Sequence, residues 1–283
     1  MENLKLSLTE HFPFLGSSGA QPTLEAWLQE DITEGDCKGK LVPSPRPVLL
    51  ILPGGGYHHI GRREAEPIAL NFMIQGFNCF SLNYSCTPHI YPQQLLETAA
   101  ALELICQNKD RWNIDPERIV LCGFSAGGHL AASYCTVRNR PEITAHFPHP
   151  RPVKAAILGY PVTTCRVDNY HGGSYKNLLG VAEPTQEQMA PHCLEDFVDP
   201  TLTPPTFLWH TATDRSVPVN SSLVFCQALS DKKIPFELHI FPVGRHGTGT
   251  ADRQGVHDYD DPENRYIHRW LELARAWLEQ FVL

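Results

Sequence analysis

Apolar residues along this chain gather in short unbroken runs, separated by longer stretches in which they recur every three or four positions. Val48-Leu49-Leu50-Ile51-Leu52 contains no polar interruption, the pattern of a strand buried on both faces. Phe77 to Leu82, Arg118 to Cys122, Lys154 to Leu158, Thr206 to Thr211 and Phe236 to Phe241 read as further strands. Between them lie helical periods: Glu66 to Gln75, ended by Gly76; Gln93 to Asn108, with Leu95, Ala99, Leu102 and Cys106 on one face; and Ala126 to Thr136. Asn220 is placed to cap a helix reaching about Ser230. Tyr266 to Phe281 closes the chain as a helix whose apolar face is Ile267, Trp270, Leu271, Ala274, Trp277, Leu278 and Phe281. Strand–helix alternation of this kind predicts an α/β fold, a mostly parallel sheet with helices on both faces. The N-terminal segment, including Thr23 to Gln29, is expected to add an antiparallel edge hairpin.

Cys165 to Pro205 is the longest stretch without a clear strand. We expect one domain over residues 1–283, with residues 165–205 inserted as a lid over the carboxyl edge of the sheet, where chemistry collects in such folds. A length of 283 residues allows one large core, and 42% apolar with 19% charged residues is ordinary for a soluble globular protein. The net charge of −8 argues against nucleic acid or an anionic membrane as partner, because phosphates call for a basic face. No run approaches the roughly 18 apolar residues of a membrane helix, and the first ten residues lack a basic segment followed by an apolar one, so neither a membrane span nor a signal peptide is expected. Nine cysteines, an odd and scattered set partly inside apolar segments, predict a reduced, cytoplasmic protein without disulfides. There is no CxxC and no Cys/His cluster of metal-ligand spacing, so no metal and no cofactor are expected.

The chemistry begins at Gly123-Phe124-Ser125-Ala126-Gly127. A G-x-S-x-G string is weak by itself, but here a strand ends at Cys122 and a helix-forming run starts at Ala126. That strand–turn–helix context is what a nucleophile elbow of the α/β-hydrolase fold requires, and it makes Ser125 the candidate nucleophile rather than a plain helix-capping serine. In this fold the acid and the base follow the nucleophile in that order. Asp214 comes directly after the run Thr206 to Thr213, whereas Asp196, Asp199 and Asp231 do not stand at a strand's carboxyl end. Among fourteen histidines, His246 alone has both the order and a glycine-flanked loop after the last strand; His210 and His239 lie inside strands, and His257 and His268 come too late. Ser125, Asp214 and His246 are therefore the candidate triad.

Pro53-Gly54-Gly55-Gly56-Tyr57 follows the Val48 strand and meets a second need of acyl transfer, backbone N–H groups aimed at an oxyanion without Cβ atoms in the way. We assign the N–H groups of Gly55, Gly56 and Ala126 to that role. A phosphate loop is disfavoured, since neither G-x-G-x-x-G nor G-K-[ST] is present. His58 and His59 are expected at a polar pocket mouth, not on a metal. Glu64 and Glu66 are expected to bias the first turn of the next helix, and His129 to be a packed helix residue. Of Tyr57, Tyr84, Tyr91 and Tyr160, some are candidates for lining a sugar or aryl pocket and most for the core.

These motifs, together with Glu64-Ala65-Glu66-Pro67-Ile68-Ala69, Gly127-Gly128-His129-Leu130-Ala131, Pro204 to Thr211 and Gly244-Arg245-His246-Gly247, resemble bacterial α/β-hydrolase carbohydrate esterases of the acetylxylan or xylanase-B-like type, including bifunctional acetyl/feruloyl esterases. The resemblance runs from about Leu24 to the C-terminus and implies metal-free deacylation of acetylated plant-wall sugars, with Ser125, Asp214 and His246 on the family's triad positions. The partner it implies is a small ester, an acylated oligosaccharide such as an acetylated xylo-oligosaccharide. Alternatives are a general short-chain carboxylesterase, a feruloyl esterase, a serine peptidase or amidase of the same fold, and, outside enzymes, a catalytically silent binding protein.

Overall fold

The computed structural model describes residues 1–30, 44–256, 258 and 260–283; His257 lies outside them. Its frame is one sheet of eight strands: β1 (Glu2–Ser7), β2 (Thr23–Leu28), β3 (Arg46–Leu52), β4 (Asn78–Asn83), β5 (Ile114–Phe124), β6 (Ala155–Gly159), β7 (Thr206–Thr211) and β8 (Phe236–Phe241). The spatial order is β1-β2-β4-β3-β5-β6-β7-β8. The first hairpin is antiparallel and β2 meets β4 antiparallel, whereas every pairing from β4 to β8 is parallel. This is the α/β-hydrolase fold. The central strands are buried: β7 at every position, with Thr206, His210 and Thr211 included, and β3, the unbroken apolar run, at all but its first residue.

Helices cover both faces, as they must where strands are apolar on both sides. On one face α2 (Gln93–Gln107), α3 (Ala126–Val137) and α5 (Asn220–Asp231) close over Leu50, Leu121, Leu158 and Leu208. On the other, α1 (Glu66–Met73), α6 (Pro262–His268) and α7 (Trp270–Phe281) close over Leu49, Ile51, Val120 and Phe207. Two expectations change in detail. Asn220 is the first residue of α5 rather than its cap; Val219 holds that place, without a side-chain bond. The closing helix is two helices meeting at Arg269, whose backbone stays right-handed helical, so the apolar stripe from Ile267 through Trp270 to Leu278 continues across the joint and is buried. Residues 165–205 contain α4 (Gly172–Leu179) and short helical turns around a small separate apolar cluster of Val162, Cys165, Tyr175, Met189, Cys193 and Val217. Among the described residues, no helix is long and apolar enough to cross a membrane.

Candidate active site

Parallel strands present their carboxyl ends at one edge, and there the loops after β3, β5, β7 and β8 converge. Ser125 stands between β5 and α3 with φ +52°, a left-handed conformation rare outside glycine. The turn holds because packing dictates it. Ser125 N–H donates to the Gly159 carbonyl at 3.0 Å, and a Cβ on Gly127 would lie 2.0 Å from the Leu52 carbonyl oxygen. The hydroxyl of Ser125 caps nothing in α3; it meets His246 Nε2 at 2.8 Å. His246 Nδ1 lies 2.6 Å from Asp214 Oδ2. A carboxylate only accepts, so Nδ1 carries the proton and Nε2 offers its lone pair to the serine.

Asp214 is fixed from every side. Its Oδ1 accepts N–H bonds from Ser216 at 2.8 Å and Val217 at 2.9 Å, and its side chain is fully buried. His210, dismissed on sequence because it lies in β7, stands behind it with Nε2 3.4 Å from Oδ2; that nitrogen also meets the Val217 carbonyl at 3.0 Å, and Nδ1 meets Ser222 Oγ at 2.8 Å. Burial resists ionisation of Asp214, but the hydrogen bonds from His210 and His246 outweigh it and hold the carboxyl well below the usual carboxylate range. Thr213 Oγ1 accepts from Gly244 N–H and donates to the Gly244 carbonyl, which ties the acid loop to the histidine loop. The rival acids are engaged elsewhere: Asp196 pairs with Arg166, Asp199 binds Thr201, and Asp231 binds Gln227.

The glycine loop after β3 faces this group. Gly54 N–H is turned inward onto Glu64 Oε2 at 2.6 Å, while the N–H groups of Gly55 and Gly56 find no acceptor within the loop. Ala126 opens α3, so its N–H has no intrahelical partner. At Gly55, φ is +130° and a Cβ would stand 1.9 Å from the His59 carbonyl, so only glycine fits. A polar cavity of about 400 Å³ opens between Ser125, His246 and the glycines. His58 and His59 line its exposed mouth, and residues 165–205 contribute His171, Gly173 and Asn177 to its wall. Asn177 Nδ2 donates to the Gly56 carbonyl at 2.8 Å, so that wall also braces the loop. Burial lowers the basicity of His171, as does nearby His246. Among the described residues no group of three or more His, Cys, Asp or Glu side chains is arranged to hold a metal.

Several side chains stand apart from the sequence reading. Tyr57, Tyr84 and Tyr160 are core residues and none lines the cavity. Tyr57 hydroxyl meets His129 Nδ1 at 2.8 Å, and Tyr84 hydroxyl donates to the Pro53 carbonyl at 2.6 Å, both buttressing the glycine loop from below. Glu66 does open α1, but Glu64 lies in a turn before it, 4% exposed, and supports no helix end. His171, Asn177 and Glu64 carry no local pattern that marks them; each matters through a neighbour distant in sequence.

Residues 40–229 match the BD-FAE family model. The chain is 37% identical to endo-1,4-beta-xylanase B of Butyrivibrio fibrisolvens over 251 residues, which covers 85% of this chain and 37% of that protein. It spans well under two thirds of the length of such curated relatives. Among solved structures, an acetyl ester-xyloside bifunctional hydrolase from Caldicellulosiruptor lactoaceticus superposes with a TM-score of 0.80 at 33% identity, covering 98% of this chain and 96% of that one. The carboxylesterase Cest-2923 from Lactobacillus plantarum also reaches 0.80, at 27% identity over 99% and 98% of the two chains.

Proposed function

The chain belongs to the BD-FAE family, and from that premise we propose that it is a serine carboxylic-ester hydrolase that removes acetyl groups from small xylo-oligosaccharides. The observation that carries the proposal is the continuous run from Ser125 Oγ through His246 to Asp214, beside glycine N–H groups that have no acceptor among the described residues. In this reading His246 takes the serine proton as Oγ attacks the ester carbonyl. Asp214 keeps the imidazole in the required tautomer and stabilises the imidazolium. The N–H groups of Gly55, Gly56 and Ala126 receive the oxyanion; losing one such donor costs about 3–4 kcal/mol of transition-state stabilisation in other enzymes. The sugar leaves with the proton returned by His246, and water then repeats the sequence on the acetyl-serine. No metal or cofactor enters any step.

The substrate rests on two supports. The cavity wall is more polar than apolar, with Asn177, His171, His58, His59 and Arg63 available to hydroxyl groups. The related proteins named above include one described as an acetyl ester-xyloside hydrolase. We assign residues 165–205 as the insertion that walls the alcohol side of the cleft. The test is acetate release from acetylated xylo-oligosaccharides against p-nitrophenyl esters of rising chain length. Acetylated sugar and p-nitrophenyl acetate should be cleaved, with turnover falling toward octanoate. Octanoate preferred to acetate, with acetylated sugars untouched, would refute the sugar assignment and leave a general carboxylesterase.

A further inference from the structure

We propose that Glu64 is a positioning residue, a buried carboxylate that locks the oxyanion loop and the histidine loop into one register. The inference rests on the esterase reading above and goes beyond it to residues that touch no substrate. Glu64 accepts Gly54 N–H on Oε2 at 2.6 Å and Tyr160 O–H on Oε1 at 2.6 Å. The phenol oxygen of Tyr160 accepts Gly249 N–H at 3.0 Å, just beyond His246 in the same loop. The Tyr160 ring packs edge-on against the His246 imidazole, with centroids 4.8 Å apart. One carboxylate thus reaches the loop after β3 directly and the loop after β8 through a single phenol.

The local geometry shows why this governs function. The loop closes on itself through Gly61 N–H to the Gly54 carbonyl at 2.8 Å, and a Cβ on Gly54 would lie 2.7 Å from Glu64 Oε2, so the carboxylate fits the loop without slack. With Gly54 N–H committed inward to Glu64, the next two residues, Gly55 and Gly56, line the cavity without an acceptor for their N–H groups inside the loop. Tyr160 itself is held at φ +37°, a strained conformation, by its N–H bond to the Trp209 carbonyl at 2.8 Å. A buried carboxylate is unfavourable unless donors satisfy it. Here two charge-assisted bonds do so, and both come from parts of the catalytic frame. Burial pushes the Glu64 carboxyl up, opposed by those two bonds and by His246 and Arg63 nearby.

The experiment is steady-state kinetics on p-nitrophenyl acetate with full-length Glu64→Gln and Tyr160→Phe, recorded with melting curves and pH–rate profiles. Glu64→Gln keeps the volume but brings an amide donor against Gly54 N–H or Tyr160 O–H. Misplacing oxyanion donors by a fraction of an ångström should lower kcat about 10- to 100-fold, with KM changed less than about threefold. The charged and titratable groups around His246 include Asp214, Glu64, His171 and Tyr160, with Arg63 beside Glu64. Removing the Glu64 charge should move the acid limb of kcat/KM to lower pH, a shift that a purely structural brace would not give. Tyr160→Phe removes only the phenol oxygen and should lower kcat in the same way without moving the acid limb as far. If Glu64→Gln does not fold, Tyr160→Phe decides. Wild-type kcat in a folded variant of either residue, or an unmoved acid limb in folded Glu64→Gln, overturns the proposal. Ser125→Ala runs alongside: if it retains turnover, the esterase reading fails rather than the role of Glu64.

Discussion

His129 offers a direct measure of how the floor of the site is built. Its Nε2 lies 3.0 Å from the His192 carbonyl and must carry the proton, so Nδ1 accepts the Tyr57 hydroxyl beneath the glycine loop. Burial, with His192 and Arg140 close by, pushes its protonation down from 6.5 to about 3. The folded value lies below the unfolded one, so the unfolded chain binds the proton first. The stability His129 contributes is therefore complete above pH 6.5 and is lost as pH falls toward about 3. Acidification from neutrality to near pH 5 spans about 1.5 units of that window, which at about 1.4 kcal/mol per unit is a loss of about 2 kcal/mol from this one residue. The perturbation is His129→Asn, whose side-chain oxygen can still accept from Tyr57 but does not titrate. Urea unfolding followed by tryptophan fluorescence, at a series of pH values, gives the stability of each protein. The variant starts less stable, yet between neutrality and pH 5 it should lose about 2 kcal/mol less than wild type. Parallel curves for the two proteins would refute the claim that this imidazole is buried neutral under the glycine loop.

Two further outcomes follow from the same geometry. Ser125→Ala and His246→Ala should each abolish ester hydrolysis, and the double variant should be little worse than either single one, because the pair acts as a unit; in kinetics, additive losses would contradict this. Glu97 is buried with its carboxylate on Ser85 and Gln93, and burial raises it to about 7 despite those bonds; its stabilising effect is complete below pH 4.5 and is lost as pH rises through about 7, so Glu97→Gln should remove about 3 kcal/mol of pH dependence opposite in sign to that of His129, and an unchanged pH–stability curve would contradict it.

What the sequence revealed and what it hid divide along physical lines. The unbroken apolar run at β3 declared a strand buried on both faces, and its alternation with the helical periods and the strand-like runs at β5 and β7 declared the parallel sheet, because both signals are local. Ser125 could be singled out at the turn after its strand, Asp214 just past the end of β7, and His246 by its order and its glycine-flanked loop beyond the last strand; the three come within hydrogen-bonding distance in space. Glu64 could not be singled out. Beside Glu66 it reads as an acid that biases the first turn of the next helix, and its burial arises only when Tyr160 is brought over from the end of β6. His210 was passed over because a strand position says nothing about which loop folds back on it. Of the four tyrosines weighed for the pocket, Tyr57, Tyr84 and Tyr160 are core, as expected of most of them; the hydroxyls of Tyr57 and Tyr84 find partners beneath the glycine loop, that of Tyr160 finds Glu64, and that of Tyr91 finds Glu142. The break at Arg269 left no mark in the apolar period, because the stripe of α6 runs on into α7.

The central claim is that Ser125 is a nucleophile activated by His246. Intact-mass and peptide-mass analysis after treatment with a fluorophosphonate tests it most directly. The account predicts one adduct per chain, on Ser125, formed rapidly in the wild type, absent in Ser125→Ala and strongly slowed in His246→Ala. An adduct on any other serine, or none on the folded wild-type protein, would contradict it.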